Sequence, residues 1–483
     1  MKKRLRLLAG PACLFLFLAG AVAQEDVWKK HMETASNALK ENNAAEALLA
    51  IQAAIREAER FGSGDPRLAS TLNLLGTFQH SQGRFVEAES LLKRSLTIRE
   101  KNLGTDHPEV AAILDNLAAL YSDQERLDQS EPLLQRSLII REKAYGEAHP
   151  DVDASLNRLA VLYDAQGKYD EVEALLKRSL ETREKVLGAD HPLVAVALNN
   201  LGSLYHQKGN LADAETLLKR ALNIREKRFG LQHPELDTSF NSLAALYRDQ
   251  SKYSQAEALL KLSLSVREKT LGPDHPRIAV VLSDLAALHM IQRHYAEVQR
   301  LLERSITIEE RALGKEHPLL SVTLSNLALA HLNQGQYTQA ESVLRRVLAI
   351  QEKSISPENR GIAATLNNLA EVYNRQGRYS DAEPLLKRSL AVLEGAGPEE
   401  QGNLAAILDN LGEHYAAQQK YAEAEAFFRR SLEVAERSLE NDHPLLVEIL
   451  EHQAGLLRKT DRASDAERLE SRAKAIRATT ANE

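Results

Sequence analysis

The chain is nearly devoid of cysteine. Among its 483 residues only Cys13 carries a thiol, and it lies in an N-terminal stretch expected to be removed. Without thiols the remaining chain forms no disulfide, no cysteine-ligated zinc site and no thiol nucleophile, so its stability has to come from packing. Aromatic residues are scarce as well, at 5%, with Trp28 the one tryptophan. The Leu, Ala, Glu, Lys and Arg that take their place favour helix and give little support to a sheet. An excess of positive charge is also missing: 61 Lys and Arg stand against 68 Asp and Glu, a net of −7. That balance argues against nucleic acid or an anionic membrane as partner.

Long apolar runs are confined to one place. Lys2, Lys3, Arg4 and Arg6 precede an apolar stretch from Leu7 to Val22, and Ala21-Val22-Ala23 offers a small-x-small cleavage site in front of Gln24. This pattern reads as a secretory signal peptide over residues 1–23, with cleavage between Ala23 and Gln24. An uncleaved anchor fits less well, because the run is short of the roughly 20 residues of a spanning helix and contains Pro11. Gly10-Pro11-Ala12 before Cys13 is not a lipoprotein box. Cleavage takes four basic residues and no acidic one, moving the net charge from −7 to −11. The expected location is the periplasm or the exterior, with no stable membrane insertion after cleavage.

What is abundant is repetition. His-Pro recurs at 107, 149, 191, 233, 275 and 317, a stride of 42 residues, and returns at 443; Asp65-Pro66 fills the slot before the first. Leu75, Leu117, Leu159, Leu201, Leu243, Leu285, Leu327, Leu369 and Leu411 keep the same stride. The expected organisation is a divergent helix pair over 24–62 (Val27 to Lys40, then Ala44 to Arg60). Ten units over 63–477 follow, starting near 68, 110, 152, 194, 236, 278, 320, 362, 404 and 446, and then a frayed tail at 478–483. Arg458, Lys459, Asp461, Arg462, Arg468, Glu470, Arg472 and Lys474 are expected to make the second helix of the last unit a polar cap.

One unit explains the rest. From His191, Pro192 suits a first helical turn, and Val194, Ala197, Leu198, Leu201, Gly202 and Tyr205 follow at helical spacing. Lys208-Gly209-Asn210 breaks the helix. Leu211, Ala214, Leu217, Leu218, Ala221, Leu222 and Ile224 then form the inward face of a second helix, closed by Phe229-Gly230. Gly202 and Ala214 are expected where the two helices cross. A single hairpin cannot cover both apolar faces, so hairpins stack. The fold class expected is an all-α, right-handed α-α superhelix of about 10–11 hairpins with a concave and a convex side. Ser356 to Arg360 and Gly395 to Pro398 replace the usual loops while keeping the stride.

The small residue in helix A, the Tyr three positions later and the Ala in helix B resemble the tetratricopeptide repeat. YNRQGRYSDAEPLLKRSL at 373–390 and YDAQGKYDEVEALLKRSLETREKVLGADH at 163–191 are similar to its 42-residue kinesin light chain type. The resemblance spans about residues 65–477. It implies the solenoid fold and binding of protein or peptide partners, and it implies no activity. The chain departs from kinesin light chains in its export signal and in lacking an N-terminal heptad coiled coil.

Candidate chemistry is weighed against this background. The His-Pro histidines are separated by a whole repeat, about 10 Å at helix-packing distances, so no metal set is expected from them. They read instead as turn residues meeting the first free N–H groups of a helix. Lys93-Arg94, Lys177-Arg178, Lys219-Arg220 and Lys387-Arg388 alternate with Glu as a solvated face rather than a nucleic-acid groove. The tyrosines at 121, 163, 205, 247, 373 and 415 and at 169, 253, 295, 337, 379 and 421 read as packing residues with hydroxyls reaching solvent. His289, His331 and Gln79 replace members of the first set.

One polar column stands out: Asn73, Asp115, Asn157, Asn199, Asn241, Ser283, Ser325, Asn367 and Asp409. The resemblance places it on the concave face, where amide side chains hold the backbone of an extended peptide; the alternative is that these residues brace neighbouring hairpins. Specificity would come from His206, Arg248 and Arg375 and from Asp164, Glu371 and Glu413, giving a mildly basic middle of the groove. No catalytic constellation, cofactor site or small-molecule substrate site emerges from the repeats. The functional expectation is a non-enzymatic scaffold that binds peptide or protein in its groove. A structural spacer using the convex face or the ends is the alternative.

Overall fold

Pro at the start of most first helices, Gly at the end of most second helices and apolar stripes between them mark the hairpins. A computed structural model describes residues 11–354, 361–395, 397, 400–439 and 443–480. Those residues form 22 α-helices and no strand. They divide into two compact units, one up to Gly230 and one from Leu231. The first contains α1 (Pro11–Lys40), α2 (Ala44–Arg60), α3 (Pro66–Ser81), α4 (Phe85–Leu103) and α5 (Pro108–Ser122), then α6 (Leu127–Tyr145), α7 (Pro150–Ala165), α8 (Tyr169–Leu187), α9 (Pro192–Gln207) and α10 (Leu211–Phe229). The second opens with a 3-10 turn at Pro234–Leu236. It continues with α11 (Asp237–Asp249), α12 (Tyr253–Leu271), α13 (Pro276–Ile291), α14 (Tyr295–Leu313), α15 (Leu320–Asn333) and α16 (Tyr337–Ser354). After these come α17 (Gly361–Arg375), α18 (Tyr379–Leu393), α19 (Gln401–Ala417), α20 (Tyr421–Ser438), α21 (Pro444–Lys459) and α22 (Ala463–Thr480). Within each unit, helices pack against their chain neighbours as a succession of hairpins, the all-α solenoid.

Six of the seven His-Pro histidines are N-caps, and His317 caps the turn that leads into α15. Nδ1 of His107, His149, His191, His233, His275, His317 and His443 accepts the N–H of the residue two positions on, at 3.1–3.3 Å. Each thereby satisfies one of the donors a helix start leaves free. At the other end Gly230, at φ +77°, donates its N–H to the Glu226 carbonyl, in backbone space that a side chain would strain.

The crossing of the two helices in a hairpin needs the small residues. A Cβ on Gly202 would lie 2.8 Å from Leu218 Cγ, and one on Gly412 would lie 2.5 Å from the Phe428 ring. Apolar clusters run from hairpin to hairpin: Leu134, Leu156, Leu176 and Leu201 share one in the first unit, and Leu344, Leu386, Leu408 and Phe428 share one in the second. A serine column stitches the two helices of a hairpin, with the hydroxyls of Ser95, Ser389 and Ser431 donating to the carbonyls of Ala69, Ala363 and Ala405 at 2.7–2.8 Å.

Four expectations change. The first helix begins at Pro11 instead of Val27, because nothing in the Ala-rich stretch before Val27 breaks it; Ala23 and Gln24 therefore lie inside α1. Arg458 and Lys459 end α21, while Asp461 and Arg462 form the turn before the last helix. That last helix, α22, buries Ala466 and Ala473, with Leu469 and Ile476 packed alongside, so it is polar on one side only. It also runs on to Thr480, beyond the expected end at 477. Residues 481–483, the Ser356 to Arg360 segment, and Ala396 and Pro398 lie outside the described residues. Among the described residues no helix is long and apolar enough to cross a membrane.

Candidate interaction face

The first helix of every hairpin carries the polar column, and most of its rungs turn out to be engaged within the chain. Asn116 Nδ2 donates to Asn73 Oδ1 and Asn410 Nδ2 to Asn367 Oδ1, both at 2.9 Å and both across 43 positions. His452 Nδ1 lies 2.7 Å from Asp409 Oδ2 across the same interval. These rungs brace one hairpin to the next. Asp115 is held by Ser137 at 2.6 Å, Arg141 at 2.7 Å and Arg158 at 3.2 Å. Asn157 donates to the Asp153 carbonyl at 2.8 Å, and Ser283 lies 3.4 Å from Ser305. Asn199 is buried; Asn241 and Ser325 are half-buried, and the Asn241 carbonyl oxygen is buried without a partner among the described residues.

Of the six residues expected to set specificity, Arg248 and Arg375 are exposed and each is paired with a nearby carboxylate. Arg248 donates to the neighbouring Asp249 at 2.8 Å, Arg375 to Glu371 at 3.4 Å, and His206 is half-buried. Asp164 and Glu413 are exposed and Glu371 half-buried.

Part of the column nevertheless opens into cavities. One of about 660 Å³ between α5 and α7 is lined by Asp115, Asn116, Asn157 and Arg158 over a floor of Leu134 and Val161. A second, of about 390 Å³, adds Asp164, Val196 and Asn200 to Asn157 and Val161. In the second unit a cavity of about 310 Å³ is lined by Arg248, Ser283, Met290, Ile291, Asn326 and Leu329. Beside Arg248 there, apolar side chains are also exposed. Val280, Ile291 and Val322 are each more than half exposed, as is Val161 in the first unit. Leaving branched side chains of that size in water on the same helices is costly unless something covers them.

The tyrosine hydroxyls are not free in solvent as expected. Tyr121, Tyr163, Tyr205, Tyr373 and Tyr415 donate to Glu89, Glu131, Glu173, Glu341 and Glu383 of the preceding hairpin at 2.9–3.2 Å. Arg126, Lys168, Lys208 and Arg378 reach the first four of these carboxylates too. The hydrogen bond from Lys93 holds Glu89 down at about 2, against the opposing effect of partial burial. Those from Lys177 and Lys208 do the same for Glu173. His289 and His331 are buried in the tyrosine positions, as expected of core replacements. The basic pairs behave as a solvated face, with Lys93, Lys177, Lys219 and Lys387 bridging to Glu one turn back.

Sequence reasoning missed a column of buried arginines. Arg99, Arg141, Arg183, Arg225 and Arg267 are all under 10% exposed. Arg267 Nε lies 2.9 Å from Asp237, and its NH1 donates to the Arg277 carbonyl at 2.7 Å; Arg183 binds Asp153 and the Leu193 carbonyl in the same way. The signal was present in the repeated Arg-Glu-Lys, which also changes to Glu309 and Gln351 further on. Burial pushes the Glu309 carboxyl upward.

A second group was missed because it joins different hairpins. Among the described residues, Asp409, Glu413 and His452 bring one donor atom each to within 4.8 Å of one another. His452 is held as imidazolium, pushed up to about 9 chiefly by its hydrogen bond to Asp409.

The model of the tetratricopeptide repeat matches seven stretches: 67–138, 109–185, 166–227, 235–311, 277–353, 319–395 and 403–479. The chain belongs to the tetratricopeptide repeat family. Curated proteins gave no significant match. Among solved structures, a kinesin light chain of Podosopora anserina with nearly identical TPR-like repeats is 28% identical over 43% of this chain and 97% of its own, at a TM-score of 0.39. The apo form of the quorum sensor NprR of B. thuringiensis is 15% identical over 74% and 99%, at 0.53. The apo form of RapI is 12% identical over 77% and 99%, at 0.56. The last two show the shared fold.

Proposed function

We propose that this repeat protein is an exported, non-enzymatic scaffold that holds a protein or extended peptide segment against the first helices of its hairpins. The carrying observation is the cavity between α5 and α7, which combines fixed polar groups on Asp115, Asn116 and Arg158 with the exposed apolar side chain of Val161. Polar groups of that kind orient a backbone, and an exposed apolar residue beside them gains by being covered. The braced rungs contribute by rigidity: Asn73, Asn367 and Asp409 fix the spacing of the helices a bound segment would cross. The opposite face supports a spacer role less well, since its lysines are already bridged to glutamates of the same helix.

A peptide-display selection against the mature chain tests the reading. Selected peptides should lose binding to Val161→Glu and Val322→Glu variants whose helicity and melting are unchanged. Peptides that bind both variants as well as the parent would contradict it. Export is checked by N-terminal sequencing of the protein from its native compartment, with Gln24 as the expected first residue.

A further inference from the structure

Asp409 and Asp115 occupy the same repeat position, and both carboxylates are buried, at 4% and 7% exposure. Their neutralisation differs. Asp115 receives two guanidinium groups, Arg141 at 2.7 Å and Arg158 at 3.2 Å, and the Ser137 hydroxyl at 2.6 Å. At the corresponding positions around Asp409 stand Ala435, His452 and Ser431. Ser431 donates elsewhere, to the Ala405 carbonyl at 2.7 Å. His452 is left as the one hydrogen-bonding partner of Asp409, through Oδ2, and the buried Oδ1 has none among the described residues. The Asp409 charge is thus answered by His452 alone, with one buried acceptor left empty.

Glu413 completes the surroundings. It follows Asp409 by one helical turn on α19, so both carboxylates project from one face, and His452 on α21 reaches across to both. Its Nδ1 is 2.7 Å from Asp409 and its Nε2 3.4 Å from Glu413. Donors around a four-coordinate ion with bonds of about 2.1 Å stand about 3.4 Å apart; this set now lies within 4.8 Å, and a single ring nitrogen meets both carboxylates once the His452–Asp409 hydrogen bond opens.

We propose that Asp409, Glu413 and His452 bind one divalent transition-metal ion, which displaces to solvent the proton that His452 holds. One imidazole nitrogen with two carboxylate oxygens suits Zn²⁺, Mn²⁺, Fe²⁺ or Co²⁺; Ca²⁺ and Mg²⁺ favour all-oxygen sets. The ion would supply at Asp409 the positive charge that arginines supply at Asp115. Glu413 and His452 retain 46% and 36% of their side-chain exposure, which leaves the ion reachable and one coordination position open to water or to a donor from a partner. This inference stands independently of what the rest of the face binds.

The test is calorimetric titration of the full mature chain, stripped with chelator, using Zn²⁺ alone, with Co²⁺ absorption as a spectroscopic readout. One ion per chain is expected. His452→Ala and Glu413→Gln should each weaken binding by roughly tenfold or more and change the Co²⁺ spectrum, while His191→Asn on a surface N-cap should do neither. Glu413 is exposed enough that its variant keeps the fold, which circular dichroism confirms. No saturable single-site binding, or equal affinity in the parent and both site variants, would overturn the proposal.

Discussion

Asp115 in the first unit and Asp409 in the second show how one repeat position is solved in two ways. At Asp115 the charge is closed off: the guanidinium of Arg141 is itself buried and is fixed by Ser137 and Ser155 at 2.6–2.7 Å. At Asp409 the arginine is an alanine, and compensation falls to a half-exposed histidine. One repeat position therefore tolerates either an arginine from the same hairpin or a histidine from the next. The difference teaches that the stack depends on a buried carboxylate being answered, and the means of answering it is where copies diverge.

The largest effect should come from opening the closed case. Arg141→Ala leaves Asp115 with only the half-exposed Arg158, and removing one member of a buried pair costs about 3 kcal/mol or more. Denaturant unfolding checks this, and a loss below about 1 kcal/mol would break the comparison. Next comes the helix crossing. Gly412→Ala drives a Cβ into the rigid Phe428 ring at 2.5 Å and should cost about 1–3 kcal/mol. Gly202→Ala meets a flexible Leu218 side chain, at 2.8 Å from its Cγ, in place of a rigid ring and should cost less.

Acid should separate the glutamate links from everything else. Glu89 and Glu173 are depressed from the usual 4.5 to about 2 in the folded protein. Their contribution is present above about 4.5 and is lost as pH falls toward 2. A Glu89→Gln, Glu173→Gln double variant should be less stable at neutral pH and show a flatter stability profile between pH 4.5 and 2. The smallest effect is a gain. Glu125 sits at φ +59° where other hairpins have glycine, as at Gly167. Glu125→Gly should stabilise by a few tenths to about 1 kcal/mol in thermal melting.

The stack was legible in the sequence because its determinants are local: Pro and His at helix starts, glycine at ends, and apolar residues at helical spacing all act within a few positions. The face was legible only in part. Buried Arg141 and half-buried Arg136 look alike in a string of charged letters, since what distinguishes them is the distant carboxylate each meets, Asp115 at 26 positions or Glu100 at 36. The Asp409–His452 contact spans 43 positions, an interval that joins neighbouring hairpins and leaves no mark within either one. The apolar stripe was visible as a departure, with Val280 and Val322 standing where Ala112, Ala154, Ala364 and Ala406 stand elsewhere. Attention to the polar column hid it. The continuous α1 escaped because no glycine or proline between Ala21 and Val27 marks a break.

The central claim is that the first helices of the hairpins carry the binding face. A photo-crosslinking residue placed at 161 or 322 on that face, and at 186 on the second helix α8, where Val186 is also half exposed, tests it in the native compartment. Partner adducts should form from 161 and 322 and not from 186. Adducts from 186 alone would contradict the account.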